Sequence, residues 1–301
     1  MTRCQAIKAD GTACRNNTKR GEKFCHLHSC RFSGGGEIHS IEEPGPKAVK
    51  LAIYVAILGA VLALLGVIIA SIWQNRQAIM IEETREAKRK VQEDFKRALN
   101  WAVNGRIESL RGVDLSGQDL SNIDLSGADL RNANLIGTKL NRANLSSTDL
   151  EGANLHHALL RTANLRGVNL SYANLSNAYF NEADLEGASL YHATCIETVF
   201  QLASLSKANL SEANLTKANL TDAILDQAMM SGSSMNMADM RGAHMAGATI
   251  AGGSLVGTDL TDADLYGVAF SGGVVWDSTT KWPNGYIPPV DKYRRNNAAT
   301  P

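Results

Sequence analysis

Three thiols and an imidazole stand close together near the start of this sequence: Cys4, Cys14, Cys25 and His28, with His26 and Cys30 as spare candidates. The spacing is C-x9-C-x10-C-x2-H. Thiolate and imidazole donors in a set of four suit tetrahedral Zn²⁺. A segment this short has little else to fold around. The expectation is a structural zinc held by Cys4, Cys14, Cys25 and His28. Disulfides or free thiols are the alternative, and the cysteines would allow more than one connectivity. The closing Cys-x-x-His favours zinc, because it is a metal-ligand spacing and not a disulfide spacing. Around the cluster sit Arg3, Lys8, Arg15, Lys19, Arg20, Lys23 and Arg31, against Asp10 and Glu22. Such a basic knuckle suits nucleic acid or anionic lipid head groups, or is simply a solvated positive surface.

No other grouping of residues suggests chemistry. There is no nucleotide loop, nucleophile elbow or paired His-carboxylate motif. His156, His157, His192 and His244 are scattered over outward or turn positions, and Tyr172 with His192 makes only a small surface cluster. The chain is expected not to be an enzyme, with no catalytic residues and no cofactor beyond zinc.

The elements that carry this cluster begin with an uncharged stretch, Leu51 to Trp73. As a helix it would span about 35 Å, enough for a bilayer core. Tyr54 and Trp73 fall near its ends, where aromatic belts form. A cleaved signal peptide fits poorly, because the stretch starts too late and is too long. One transmembrane helix over 49–73 is expected, after a linker over 32–48. Small residues recur along it at four-residue steps (Ala52, Ala56, Ala60; Gly59, Ala63), a face that allows pairing into a homodimer. From 74 to 108, Ala87, Val91, Phe95, Ala98 and Ala102 recur at three or four steps. That segment reads as a separate amphipathic helix capping the region beyond residue 108.

That region is periodic. Every position divisible by five from Leu115 to Val275 is Leu, Phe, Met, Ile, Val or Cys, 33 in all, with no insertion. A helix or a straight strand would scatter leucines spaced by five over its faces, so the chain itself must turn between them. Two residues before each stands a small residue, such as Ala128, Ala133, Ala143 or Ala153. Asp or Asn often lies between, and turn-forming residues come next. If each unit turns a quarter circle, four units close a square coil and residue i lies under i+20. Phe180 and Phe200 would then stack in one column, and Met230, Met235, Met240 and Met245 would fill one coil as pliable core. "VVWDSTTKWPNGYIPP" would cover the last coil with Trp276, Trp282 and Tyr286.

This pattern resembles the pentapeptide-repeat family, A-(D/N)-L-x-x, over 113–277. The resemblance implies a right-handed quadrilateral β-helix, an all-β repeat solenoid placed at 109–277 with a cap and tail at 278–301. Lys139, Leu159, Tyr179 and Ile224 depart from Asp/Asn, Cys195 replaces a central leucine, and Gln118 occupies a small position. The segment 1–31 resembles a small Cys3His motif found on varied bacterial, phage and viral proteins.

The formal charge is zero but partitioned. Residues 1–50 hold nine Lys/Arg against five Asp/Glu, and residues 113–277 hold eight against 18. Three functions compete. The first is a membrane-anchored scaffold presenting the β-helix to a protein. The second is mimicry of DNA towards a topoisomerase, as the resemblance implies for some relatives; half of the 18 acids, however, sit at the Asp/Asn repeat position. The third is a tether holding nucleic acid at the membrane. The basic tail and its reduced cysteines place the N-terminus in the cytoplasm. Arg85, Lys88, Arg89 and Lys90 beyond the span argue the other way.

Overall fold

A computed structural model describes residues 46–103 and 109–288. The cluster Cys4, Cys14, Cys25 and His28 lies outside the described residues. The chain divides into two compact units, Met1–Asn75 and Arg76–Pro301.

Helix α1 spans Pro46–Val103. Two helices were expected here, and the structure has one continuous helix. The reason is local: no Gly or Pro interrupts residues 67–103, so nothing breaks the hydrogen-bond ladder. Pro46 stands at the first position, where its missing N–H costs nothing. Within Met1–Asn75, the large apolar side chains from Leu51 to Trp73 are exposed. The apolar window of α1 has a mean hydropathy of 2.9. The helix is therefore long and apolar enough to cross a bilayer.

From residue 109 the chain winds in five-residue units. After nearly every central residue comes a turn closed by an i+3 hydrogen bond, as from Ala128 N to Leu125 O at 3.1 Å and from Ala133 N to Leu130 O at 3.0 Å. The third turn residue is left-handed in every unit from Gly112 to Gly272. Most non-glycine occupants are Asn, Asp, Glu, Lys or other unbranched residues. Thr162, at φ 56°, is β-branched and pays about 1–2 kcal/mol for that conformation.

Four such units close a coil. Asp129 bridges Asp149 in parallel, and the same step of twenty runs from Asp114↔Asn134 to His244↔Asp264. Each unit gives three bonds to neighbouring coils, for example Leu130 N to Asp149 O (2.7 Å), Asn132 N to Glu151 O (2.9 Å) and Asp149 N to Ala128 O (2.9 Å). Where the bridges lengthen into strands, β1 (Thr249–Ala251) pairs in parallel with β2 (Ala269–Ser271).

The central residues fill the core, and the small residues leave them room. Leu125, Leu165 and Leu215 are fully buried, as are Ala143, Ala153 and Ala173. Phe180 and Phe200 stack with centroids 5.2 Å apart. Met230, Met235, Met240 and Met245 are all fully buried. Where Thr replaces Ala, its hydroxyl finds a carbonyl: Thr138 Oγ1 donates to Leu115 O at 2.8 Å and Thr148 Oγ1 to Leu125 O at 2.9 Å. These buried hydroxyls are thus satisfied within the protein. Cys195 is buried, and burial pushes its thiol well above the ordinary cysteine value, so it behaves as a core atom.

The ends are closed by different means. At the first coil, α1 lays Ala98 and Trp101 on the core, with Phe95 partly buried against it. Asp94 is buried, and its Oδ2 accepts the N–H of Asp114 at 2.9 Å. A side-chain carboxylate thereby stands where the carbonyl of a preceding coil would be. Arg97 holds it, donating from Nη1 to Asp94 Oδ1 and from Nη2 to Ser109 O, both at 2.9 Å.

At the other end the uninterrupted register fails. Gly272 and Gly273 are both left-handed, and the doubled turn absorbs one extra residue. Ser254 therefore pairs with Val275, one residue beyond the regular step, and a second extra residue before Lys281 brings it opposite Asp259. Val275 is therefore not a central residue. Val274 is the buried one, and Trp276 and Trp282 occupy the last central positions. Trp282 packs on Trp276 at 5.8 Å, on Phe270 at 5.9 Å and on Tyr286 at 5.5 Å. The ladder thus continues past 277 to Lys281.

Candidate interaction surface

The Asp/Asn positions point outward but serve the fold. Each side chain accepts the N–H two residues on, as from Ser126 N to Asp124 Oδ1 at 3.0 Å, which fixes the turn. The amides also ladder between coils: Asn144 donates to Asp124 Oδ1 at 3.0 Å and Asn164 to Asn144 Oδ1 at 3.1 Å.

Many acids also carry a cation of their own. Arg131 lies 2.8 Å from Asp129 and 3.4 Å from Asp149. Arg166 lies 3.1 Å from Asp184 and 2.7 Å from Glu186, Arg241 lies 2.6 Å from Asp239, and Lys281 lies 2.8 Å from Asp259. The hydrogen bond from Arg131 holds the Asp129 carboxyl at about 2. For Asp259 burial works the other way, but bonds from Lys281 and Thr261 keep it at about 2. Part of the formal negative charge is consequently neutralised in place.

One face breaks the outward polar rule in consecutive coils. Lys139 bridges Leu159, Leu159 bridges Tyr179, and Tyr179 bridges Val199. Tyr179 is 44% exposed, while Leu159 and Val199 are half-buried. The corner before this face carries Ile136 and Ile196, and the corner after it carries Leu202, 51% exposed. On that second corner a groove of about 450 Å³ is lined by Ser121, Asn122, Asn141, Arg142, Arg161, Thr162 and Glu182. Arg142 and Arg161 are both exposed. The sequence had marked Lys139, Leu159 and Tyr179 as departures one by one. It missed Val199 and the fact that all four share a column, which the step of twenty reveals.

Another corner is aromatic. Tyr172 stacks on His192 at 5.4 Å, as the step of twenty implies, and Tyr191 meets both edge-on. Among the described residues no group of His, Cys, Asp and Glu is arranged to hold a metal ion. Cys195, the one cysteine of the β-helix, is sealed in the core.

Among solved structures, the chain is similar to HetL, a pentapeptide repeat protein involved in heterocyst differentiation regulation in the cyanobacterium Nostoc sp. strain PCC 7120. The identity is 27%, over 63% of this chain and 96% of that one, with a TM-score of 0.33. It is also similar to QnrB1, a plasmid-mediated fluoroquinolone resistance protein, at 20% identity over 53% and 92% of the two chains, with a TM-score of 0.37. No curated protein matches the chain. The pentapeptide repeats model matches in 8 copies, over residues 109–146, 128–167, 143–181, 169–206, 183–222, 208–245 and 238–274. These matches run together across more than half of the sequence and coincide with the coils, so the chain belongs to the pentapeptide repeat family.

Proposed function

We propose that this protein is a membrane-anchored, non-enzymatic scaffold whose β-helix presents a docking face to another protein. The observation that carries this reading is the break in the outward ladder at Leu159, Tyr179 and Val199. Elsewhere the outward positions mostly hold turns, amide ladders and ion pairs. Here they hold apolar side chains in consecutive coils, with Tyr179 44% exposed, and such a patch suits an interaction site. The anchor in this reading is the exposed apolar part of α1. Mimicry of DNA is less well supported, because a mimic needs rows of free carboxylates and many of these are paired.

The anchor is tested by fractionation. The full-length chain is expected to stay with membranes through alkaline carbonate and to leave them only in detergent. Deletion of 49–73 should make it soluble. Release of the intact chain by carbonate alone would remove the anchor. In right-side-out vesicles, external protease is expected to degrade the β-helix and spare the tail, as an N-terminus held inside requires. The opposite pattern would reverse the topology.

The N-terminal segment is proposed to bind one zinc through Cys4, Cys14, Cys25 and His28, with the surrounding basic residues free for phosphate groups. Metal analysis of the reduced, detergent-purified full-length chain should find stoichiometric zinc, lost in Cys25→Ser. Zinc retained by that variant would refute the ligand set.

A further inference from the structure

The apolar column and the basic groove are parts of one surface. Leu159 lies two residues before Arg161, and Tyr179 lies three before Glu182, so the groove corner forms the edge of the column's face. The β-helix as a whole is acidic, with 18 Asp/Glu against eight Lys/Arg over 113–277. Within it Arg131, Arg166 and Arg241 are committed to neighbouring carboxylates. Arg142 and Arg161 are different. Neither side chain has an ion-pair or hydrogen-bond partner among the described residues, although Glu182 also lines the groove. Two uncommitted guanidinium groups therefore border a strip made of the exposed Tyr179 and Leu202 and the half-buried Leu159 and Val199, on an otherwise acidic body.

We infer that this face binds an acidic protein segment. Its aliphatic or aromatic side chains would lie along Leu159, Tyr179 and Val199, and its carboxylates would enter the groove at Arg142 and Arg161. This rests on the scaffold reading and names the chemistry of its partner. The chemistry comes from the surface. Guanidinium forks match carboxylates in two-pronged hydrogen bonds. Tyrosine and arginine are both enriched among the few residues that carry most of the binding energy at protein interfaces. The surrounding acids would repel an acidic partner from the other faces, so the arginine corner also sets register.

The test uses the full-length chain in its own membranes, with a photo-cross-linking amino acid placed singly at position 179, 202, 209 or 229. Asn209 and Met229 belong to the opposite face, two units away in the coil, and Met229 is a comparably exposed apolar control. The expected result is a protein adduct at 179 and 202 but not at 209 or 229. Sequencing of the cross-linked segment should show Asp or Glu beside apolar residues. The double variant Arg142→Ser/Arg161→Ser should lower adduct yield at 179 by about tenfold or more, the size of one lost charged hydrogen bond. Both residues are exposed, so its thermal melt should match the parent, which confirms that the loss is one of contact. Adducts confined to 209 or 229 would leave a scaffold but overturn this face. An adduct at 179 that ignores the arginines, or whose partner segment lacks carboxylates, would overturn the partner chemistry. A lipid or nucleic-acid adduct at 179 would overturn it too. No adduct at any of the four positions would overturn both the face and the scaffold reading.

Discussion

Leu165→Asp is expected to unfold the β-helix around its site, whereas Arg166→Ala, one residue on, should leave the melting temperature close to the parent's. Leu165 is fully buried and its N–H is bound to Asp184 O at 2.7 Å. A carboxylate there would lie among leucines on every side, with no donor to receive it. Burying such a group without a partner costs several kcal/mol or forces it to stay protonated, a large part of the about 5–15 kcal/mol that holds a domain together. The Arg166 side chain is half exposed, and its ion pairs with Asp184 and Glu186 are screened by solvent. Thermal melts followed by circular dichroism compare the two variants. Equal losses would mean that the assignment of inward and outward residues is wrong.

Asp94→Ala should destabilise the first coil by about 1–3 kcal/mol, because it strands the N–H of Asp114 at a buried end. Arg97 would lose one of its acceptors at the same time. Asp94→Asn keeps an acceptor oxygen and should recover part of the loss. Each coil of a solenoid leans mainly on its neighbours, so the damage should be graded along the chain. Amide exchange is the suitable readout. Protection should fall at Asp114 and Leu115 while amides near Leu205 stay protected. Uniform protection in Asp94→Ala would show that helix packing, and not the carboxylate, closes this end.

Most of the coil could be read directly, because one residue type recurs at one spacing. Leu145 and Ala143 have only one arrangement in which both are dry, and the stacking of Phe180 and Phe200 is a matter of counting. What escaped reading depends on side chains doing the work of backbone. Asp94 sits in a charged helix and looks like any solvated acid. Its signal was its distance of twenty from Asp114, which extends a column of the coil back into the helix. Val275 satisfied the period by type, yet Gly272 and Gly273 let the chain take an extra residue, and no composition rule says which of two adjacent valines turns inward. The single continuous α1 escaped for the opposite reason. The change from apolar to charged composition after Trp73 looked like an element boundary, although nothing in that stretch stops a helix. The apolar column lay hidden because Lys139, Leu159, Tyr179 and Val199 are far apart in sequence and each, taken alone, is an ordinary substitution.

The step of twenty also governs how such a chain can change length. Adding or deleting one five-residue unit would leave every unit well formed, yet would turn all later coils by a quarter revolution. Placed between Arg161 and Tyr179, it would carry the tyrosine to a different side and separate it from Arg142 and Arg161. Only a whole coil of four units keeps the sides in phase. A partner that touches several coils at once therefore ties the protein to lengths that differ by complete turns.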